Sequence, residues 1–310
     1  MTVSGFQRAM RTSPEDSVWH EGELAVQLRA GVGEVSRRGI HSQIPDGLVG
    51  FLSERRLVVF ASIDSDRRTW ASLRLAEPGF LRVLDRLTLE TGAADLDGDP
   101  LLPNLKQNPN LGMVIIDLAT RRRVRINGEA EVLPHDGLRV QARQVYGNCQ
   151  QYIQLRVAEE ARQTNRASSL ISRGTQLTPV QREWIAHADT LFIASAHPER
   201  GADASHRGGR PGFVRVDGDS RLTIPDYSGN RMFNTLGNIE VNPRVGLVFP
   251  DFAQGRTLQL SGSATIDWDS DRGAFPGAQR LLRFEIEKVI EIGQPWLASY
   301  RLREYSQFNP

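Results

Sequence analysis

Arginine carries nearly all the positive charge of this 310-residue chain: of 38 basic residues, only Lys106 and Lys288 are lysine. A guanidinium grips phosphate or carboxylate through two parallel N–H groups, which an ammonium cannot do. The bias reads either as coding preference or as arginines assigned to an anion, and composition leaves both open. Three local groupings bear on the choice. Gly229-Asn230-Arg231 follows Ile224-Pro225-Asp226 and stands where a helical stretch begins. A glycine there permits close backbone approach, Asn230 and Arg231 bring donors, and the first N–H groups of the helix are free. The same residues would also serve as the cap of a surface helix with one solvated arginine. Arg121-Arg122-Arg123-Val124-Arg125 sets four cations in five positions, suited to a solvated hairpin or to a neighbouring anion. Ser205-His206-Arg207 places a hydroxyl, an imidazole and a guanidinium among glycines, as a binding strand or as a plain loop. No G-x-S-x-G elbow, Walker loop or Rossmann glycine fingerprint occurs. His20 and Glu23, in WHEGE, are spaced for neither a zinc pair nor a dyad with visible partners. The legible chemistry is anion recognition, with no metal site and no side chain demanded as acid, base or nucleophile.

The bulk properties exclude several other classes. A net charge of +1 gives no general attraction to nucleic acid or to a membrane surface. No apolar run reaches membrane-spanning length, and the opening MTVSGFQRAMRTSPED lacks the apolar core of a secretory signal. The expected location is the cytoplasm. The single cysteine, Cys149, excludes an intrachain disulfide and any cysteine-cluster metal site.

The elements that must position these groups come from an internal repeat. VFASIDSDRRTWASLRLAEPGFLRV, from Val59, aligns with FIASAHPERGADASHRGGRPGFVRV, from Phe192, at an offset of 133 residues. Asn108-Pro109, Gly112 and Gly128 then match Asn242-Pro243, Gly246 and Gly262 at an offset of 134. Duplicated architecture follows. Each copy is mainly β, with short runs rich in branched and aromatic residues: LVVFASI, FLRVL, RLTLET, GMVIIDL and VRINGEAEV in the first, TLFIASA, GFVRV, RLTIPD, VGLVFPD and TLQLSGSATI in the second. Five or six antiparallel strands with one internal helix, NRMFNTLGNIEVNP in the second copy, suggest a small closed barrel. Helix starts are expected at Ser13-Pro14-Glu15-Asp16 and Thr178-Pro179-Val180-Gln181. The fold class is mainly β with helices (α+β), as two tandem barrels. The divisions are a helical segment over 1–50, a first barrel over 51–135, a helical connection over 136–189 and a second barrel over 190–310.

The order ASHRGGRPGFVRV, LTIPDYSGNRMFNTLGNIEVNPRVGLVF, TLQLSGSATI, with WAS, GDPL and RRRVRINGEAEV in the first copy and VYGNCQQYIQLR between, resembles the FMN-binding split-barrel family related to pyridoxamine-phosphate oxidase. The resemblance covers nearly the whole chain. It implies a pseudo-dimer of split barrels with FMN held where the two meet. It implies cofactor contacts at Ser205, Arg207, Arg210, Val214, Arg215, Asn230, Arg231, Thr257, Gln259 and Arg123, with Arg210 to Arg215 as the flavin strand. Weaker candidates toward a substrate are His206, Trp70 and Cys149; a core tryptophan and a buried apolar cysteine are the alternatives for the last two, and Gln150 stands where the subgroup has proline. The matching turn of the first barrel, TGAADLDGDPLL, replaces the Asn-Arg pair by acids. These would repel a phosphate dianion, so the first site reads as degenerate. The implied activity is that of an FMN-dependent oxidoreductase on a small molecule, supplied with electrons by a separate reductase or a nicotinamide; a homodimer is compatible with it. A flavin- or haem-binding carrier or sensor is the alternative.

Overall fold

In a computed structural model, residues 18–33, 35–36, 39–94, 96–159 and 168–310 are described. The helix start expected at Ser13 to Asp16 lies outside them, as does Asp95. Helix α1 (Glu21–Arg29) leads into β1 (Ile40–His41) and α2 (Val49–Ser53). The first barrel follows: β2 (Leu57–Ile63), β3 (Thr69–Leu75), β4 (Leu81–Val83), β5 (Thr88–Thr91), α3 (Leu101–Leu105), β6 (Asn110–Asp117), β7 (Arg122–Val132) and β8 (Leu138–Gly147). Then come β9 (Leu155–Ala158), β10 (Ser169–Gly174) and α4 (Pro179–His187). The second barrel comprises β11 (Thr190–His197), β12 (Gly201–Gly208), β13 (Arg215–Val216), β14 (Arg221–Tyr227), α5 (Asn234–Val241), β15 (Arg244–Asp251), β16 (Arg256–Asp267) and β17 (Ala278–Gly293). Last, β18 (Tyr300–Glu304) pairs with β9.

The duplication is exact in topology. The strand order β3-β2-β6-β7-β8-β5-β4 of one sheet repeats as β12-β11-β15-β16-β17-β14-β13 in the other, with β1 added on β8 and β10 on β17. Both long hairpins carry a register shift at the same place, between Asn127 and Gly128 and between Ser261 and Gly262. Asn104 Nδ2 donates to Ser62 Oγ, and its repeat mate Asn238 Nδ2 donates to Ser195 Oγ, both at 3.0 Å.

Among the described residues, three large apolar clusters hold this together. One fills each barrel, around Phe60, Leu89 and Ile126 in the first and Leu191, Phe249 and Phe284 in the second. The third lies between the barrels, built from Val59, Leu73 and Val114 against Phe192, Ala194, Ala204 and Val248. Its small residues let backbones meet. A Cβ on Gly112 would stand 2.6 Å from Asp203 Cα, and one on Gly246 would stand 2.7 Å from Trp70 Cα, so glycine is required at both pseudo-symmetric crossings.

Two sequence expectations change. The connection over 136–189 is not a helical bridge: Leu138–Gly147 is a strand of the first barrel, with Leu138, Val140 and Ala142 buried between exposed Arg139, Gln141 and Arg143. That period-two alternation outweighs the helix preference of its arginines and glutamines. The only α-helix there among the described residues is α4, which starts where expected, with Thr178 as N-cap in a capping box with Gln181. The strand expected over Arg210 to Arg215 begins only at Arg215. Gly208-Gly209 and Pro211-Gly212, the last at φ 91°, turn the chain instead. The strand that faces the other barrel is β12.

Candidate functional site

The cavity between the barrels follows from the edge position of β12. It packs against β6 and β7 of the first barrel, so the outward side chains of β7 meet those of β12. Val124 and Ile126 point into the first barrel's core, and Arg123 and Arg125 alternate with them toward the second. A cavity of about 280 Å³ opens here, walled by β7, β12, β14, the start of α5 and the Cys149–Tyr152 segment, with Ala30 to Val32 after α1 at its rim.

Arginines dominate its walls. Arg125, 7% exposed, donates to Asp203 Oδ2 at 2.8 Å and to Ser205 Oγ. Arg123 Nη1 lies 2.7 Å from His206 Nδ1. Arg207 pairs with Asp226, whose other oxygen is 3.5 Å from Arg280 Nε. Yet the buried Nε of Arg125, Arg207 and Arg280, and Nη1 of Arg280, have no hydrogen-bond partner within the protein. Asp203 is shared by Arg125, Tyr146 and Asn127, and among the described residues Asp226 is the one carboxylate that lines the cavity. Cations outnumber carboxylates, and orphaned guanidinium N–H groups are costly unless an anion completes them.

Protonation states follow the same surroundings. Burial, with repulsion from Arg125 and Arg207, draws Arg123 down to about 10, so it remains a cation at neutral pH. Its proton therefore fixes His206 Nδ1 as an acceptor and leaves the hydrogen on Nε2, which is buried without a partner. Burial and the arginines Arg123, Arg207, Arg156 and Arg125 hold His206 well below the ordinary histidine range. It is a fixed neutral donor.

The start of α5 completes the wall. Phe233, its N-cap, sits at φ 61° and offers no side-chain cap, in contrast to α4. Arg231 shares the left-handed conformation at φ 62°. Two non-glycine residues so placed cost on the order of 1–3 kcal/mol each and cluster at functional sites. An uncapped helix start carries partial positive charge and free N–H groups. Tyr152 and Tyr227 also line the cavity, their rings tilted by 33° with centroids 5.2 Å apart, and Tyr152 Oη donates to Ser228 O at 2.8 Å.

Of the residues singled out by sequence, Arg123, Cys149, Ser205, His206, Arg207, Asn230 and Arg231 line this cavity. The others stand elsewhere. Val214 is buried in the second barrel's core. Arg210 and Arg215 are exposed outside the cavity, against the rings of Tyr305 and Phe275. Thr257, Gln259 and Trp70 lie in the other, pseudo-symmetric crevice, where Trp70 packs on Ile290 and Ile292. Sequence reading did not single out Arg280, Asp226, Tyr152 or Tyr227. Tyr152 lay in the quoted VYGNCQQYIQLR and Asp226-Tyr227 in the quoted LTIPDYSGNR stretch, whereas nothing local marks Arg280, which its strand pairing with Asp226 brings to the site.

His20, Glu21 and His197 also gather, with ligand atoms within 4.8 Å of one another. Each imidazole accepts backbone N–H at Nδ1, His20 from Gly22 and His197 from Glu199 and Arg200. Each Nε2 therefore holds the proton and donates it, to Asn238 Oδ1 and Glu21 Oε1, both at 3.0 Å. A metal needs those lone pairs, so the group acts as a helix cap and turn anchor.

A family model described as "Pyridoxamine 5'-phosphate oxidase" matches the chain twice, over residues 44–169 and 177–291. No curated protein matches. Among solved structures, a putative pyridoxamine 5'-phosphate oxidase from Lactobacillus delbrueckii is 19% identical over 37% of this chain and 94% of its own, with a TM-score of 0.31. HupZ of Group A Streptococcus is 14% identical over 36% and 90%, with a TM-score of 0.30. A FAD-binding protein from Mesorhizobium loti is 14% identical over 39% and 98%, with a TM-score of 0.28. The two family-model segments together span most of the chain, one on each barrel, and on that ground it belongs to the pyridoxamine 5'-phosphate oxidase family as a tandem split-barrel member.

Proposed function

We propose that this protein binds FMN in the cavity between its barrels, one per chain, and serves as an FMN-dependent oxidoreductase on a small molecule. The observation that carries this reading is the set of buried, unpartnered guanidinium N–H groups on Arg125, Arg207 and Arg280 beside the uncapped start of α5. A phosphate dianion is the group that such donors complete. Arg207, Arg280 and the α5 start would hold the phosphate, with Asn230 and Arg231 at the rim. Tyr152 and Tyr227 offer an aromatic wall for a flat ring system. His206 offers a neutral N–H to an uncharged ring acceptor. When bound, flavin supplies the electron chemistry, and the protein contributes position, dryness and charge.

A separate reductase or a reduced nicotinamide would deliver electrons. The test is spectral: protein saturated with FMN is mixed anaerobically with NADH or NADPH, then with oxygen or a small-molecule acceptor panel. Bleaching and rapid recovery of the flavin bands support an oxidoreductase. Failure to retain FMN through gel filtration removes the assignment.

One observation favours a second reading, a flavin carrier or sensor without turnover. The cavity's carboxylate, Asp226, is tied to Arg207 and Arg280, and His206 stays neutral, which leaves no free acid lining the described walls. Bound flavin that neither nicotinamide nor an added reductase reduces would favour it. Haem fits less well, because the Nε2 of His206 bears its proton.

A further inference from the structure

The crevice related to this cavity by the pseudo-twofold is closed, and what closes it is a carboxylate. Asp99, whose side chain is fully buried, accepts from Ser72 Oγ at 2.7 Å and Leu101 N at 2.9 Å through Oδ1. Through Oδ2 it accepts from Arg74 Nη1 at 3.0 Å and from Gln259 Nε2, of the other barrel, at 2.6 Å. The repeat offset of 133 to 134 residues turns each of these four partners into a member of the open site: Ser205, the start of α5 at Thr235, Arg207 and Arg125. The open site's own carboxylate has no counterpart in the closed one, since the strand pairing that matches Glu90 to Thr223 matches Ala93 to Asp226. Asp99 thus reaches its partners from a different place, the start of α3, which aligns with Phe233. β10 seals the crevice: Leu170 packs on Gly98, and Arg173 donates to Gly98 O at 3.1 Å.

We propose that the closed crevice is a second anion site of the same construction, which the chain occupies with its own Asp99 carboxylate, and that removing this side chain uncovers a site for a small oxyanion such as phosphate. The proposal rests on the reading of the open cavity as an anion site, but its test touches only residues of the closed crevice, so its failure leaves the flavin assignment standing. Its chemistry is that of a buried cation whose counter-ion can be internal or bound. Binding to the folded state alone then stabilises it by mass action.

The experiment compares thermal unfolding of the full chain, wild type and Asp99→Ala, in chloride and in inorganic phosphate at equal ionic strength. Any phosphate effect at the open site is common to both and subtracts out. Asp99→Ala should unfold lower in chloride, and phosphate well above its Kd should raise its midpoint by roughly 5 °C more than that of wild type. Adding Arg74→Met should abolish this extra gain. Asp99→Asn, which removes the charge but fills the space, should be destabilised without recovery. Equal phosphate shifts in wild type and Asp99→Ala, or an extra shift that survives Arg74→Met, would overturn the proposal. So would an Asp99→Ala chain that phosphate recovers neither in midpoint nor in soluble yield.

Discussion

Replacing Arg280 by methionine separates the two things a buried cation can do. Arg280 is 6% exposed, its Nε and Nη1 lack hydrogen-bond partners, and its ion contact to Asp226 is long at 3.5 Å. Its guanidinium also lies over the rings of Phe233 at 5.0 Å and Trp268 at 4.8 Å. Burial and the Arg207 charge lower its pKa, against the pull of Asp226, so the site strains to hold it charged. Methionine keeps the volume and relieves that cost. It gives up a cation–π contribution of about 0.5–2 kcal/mol, while Asp226 keeps Arg207. The two changes oppose each other, and the ligand-free protein should shift by no more than about 1 kcal/mol in either direction. Binding should respond differently. A lost charge-assisted hydrogen bond to phosphate is worth about 1.5–3 kcal/mol, or roughly ten- to a hundred-fold in FMN affinity. Riboflavin, which lacks the phosphate, should bind the variant nearly as it binds wild type. Flavin fluorescence titrations with both ligands, beside urea unfolding of the apo proteins, measure each part. Equal losses for FMN and riboflavin would refute the phosphate role. A large apo destabilisation would show Arg280 to be a structural tie for Asp226.

Arg231→Ala, at the exposed rim, should cost only about two- to five-fold in FMN affinity, as exposed charge pairs do; a hundred-fold loss would place the phosphate against Arg231 rather than Arg280. Flavin released from protein saturated with FMN should approach one per chain, and a ratio near two would mean that Asp99 yields to the cofactor. Burial raises Glu23 to about 7, so the stability it contributes is complete below about pH 4.5 and is lost as pH rises through 7. Urea unfolding of Glu23→Gln against wild type should therefore shift by about 1–3 kcal/mol in the variant's favour between pH 5 and pH 8, and a constant difference would show that Glu23 is ionised throughout. Gly112→Ala and Gly246→Ala should each destabilise the chain by about 1–3 kcal/mol or more through overpacking at the barrel crossing; tolerance of one alone would show that the two crossings are not equivalent.

The amino-acid sequence by itself determined that there are two barrels, because a repeat at 133 to 134 residues requires two copies of one architecture. It marked most strands through their apolar runs and located α4 and α5 through Thr178-Pro179 and Asn242-Pro243, since those signals act within a few residues. It also offered the arginines as partners for an anion, beside coding preference as the other reading of the same bias. It did not reveal β8, β12 or the 16-residue β17, whose arginines, glutamines and glycines hide a strand until neighbours on both sides pair with it.

The choice among the arginines belonged to the tertiary structure. Arg210 and Arg215 look like a binding pair in the chain and stand outside the cavity, because the glycines around them form a turn. Arg123 meets His206 across 83 residues and Arg125 meets Ser205 across 80, since an edge strand of one barrel crosses a strand of the other. The fate of the two crevices was decided in the same way. The acids of the first barrel's turn read as a repulsive surface, whereas folding carries one of them, Asp99, inward between Arg74 and Gln259. Charge type is written in the sequence; which charges face one another is set by how two identical topologies pack, and no local spacing encodes that.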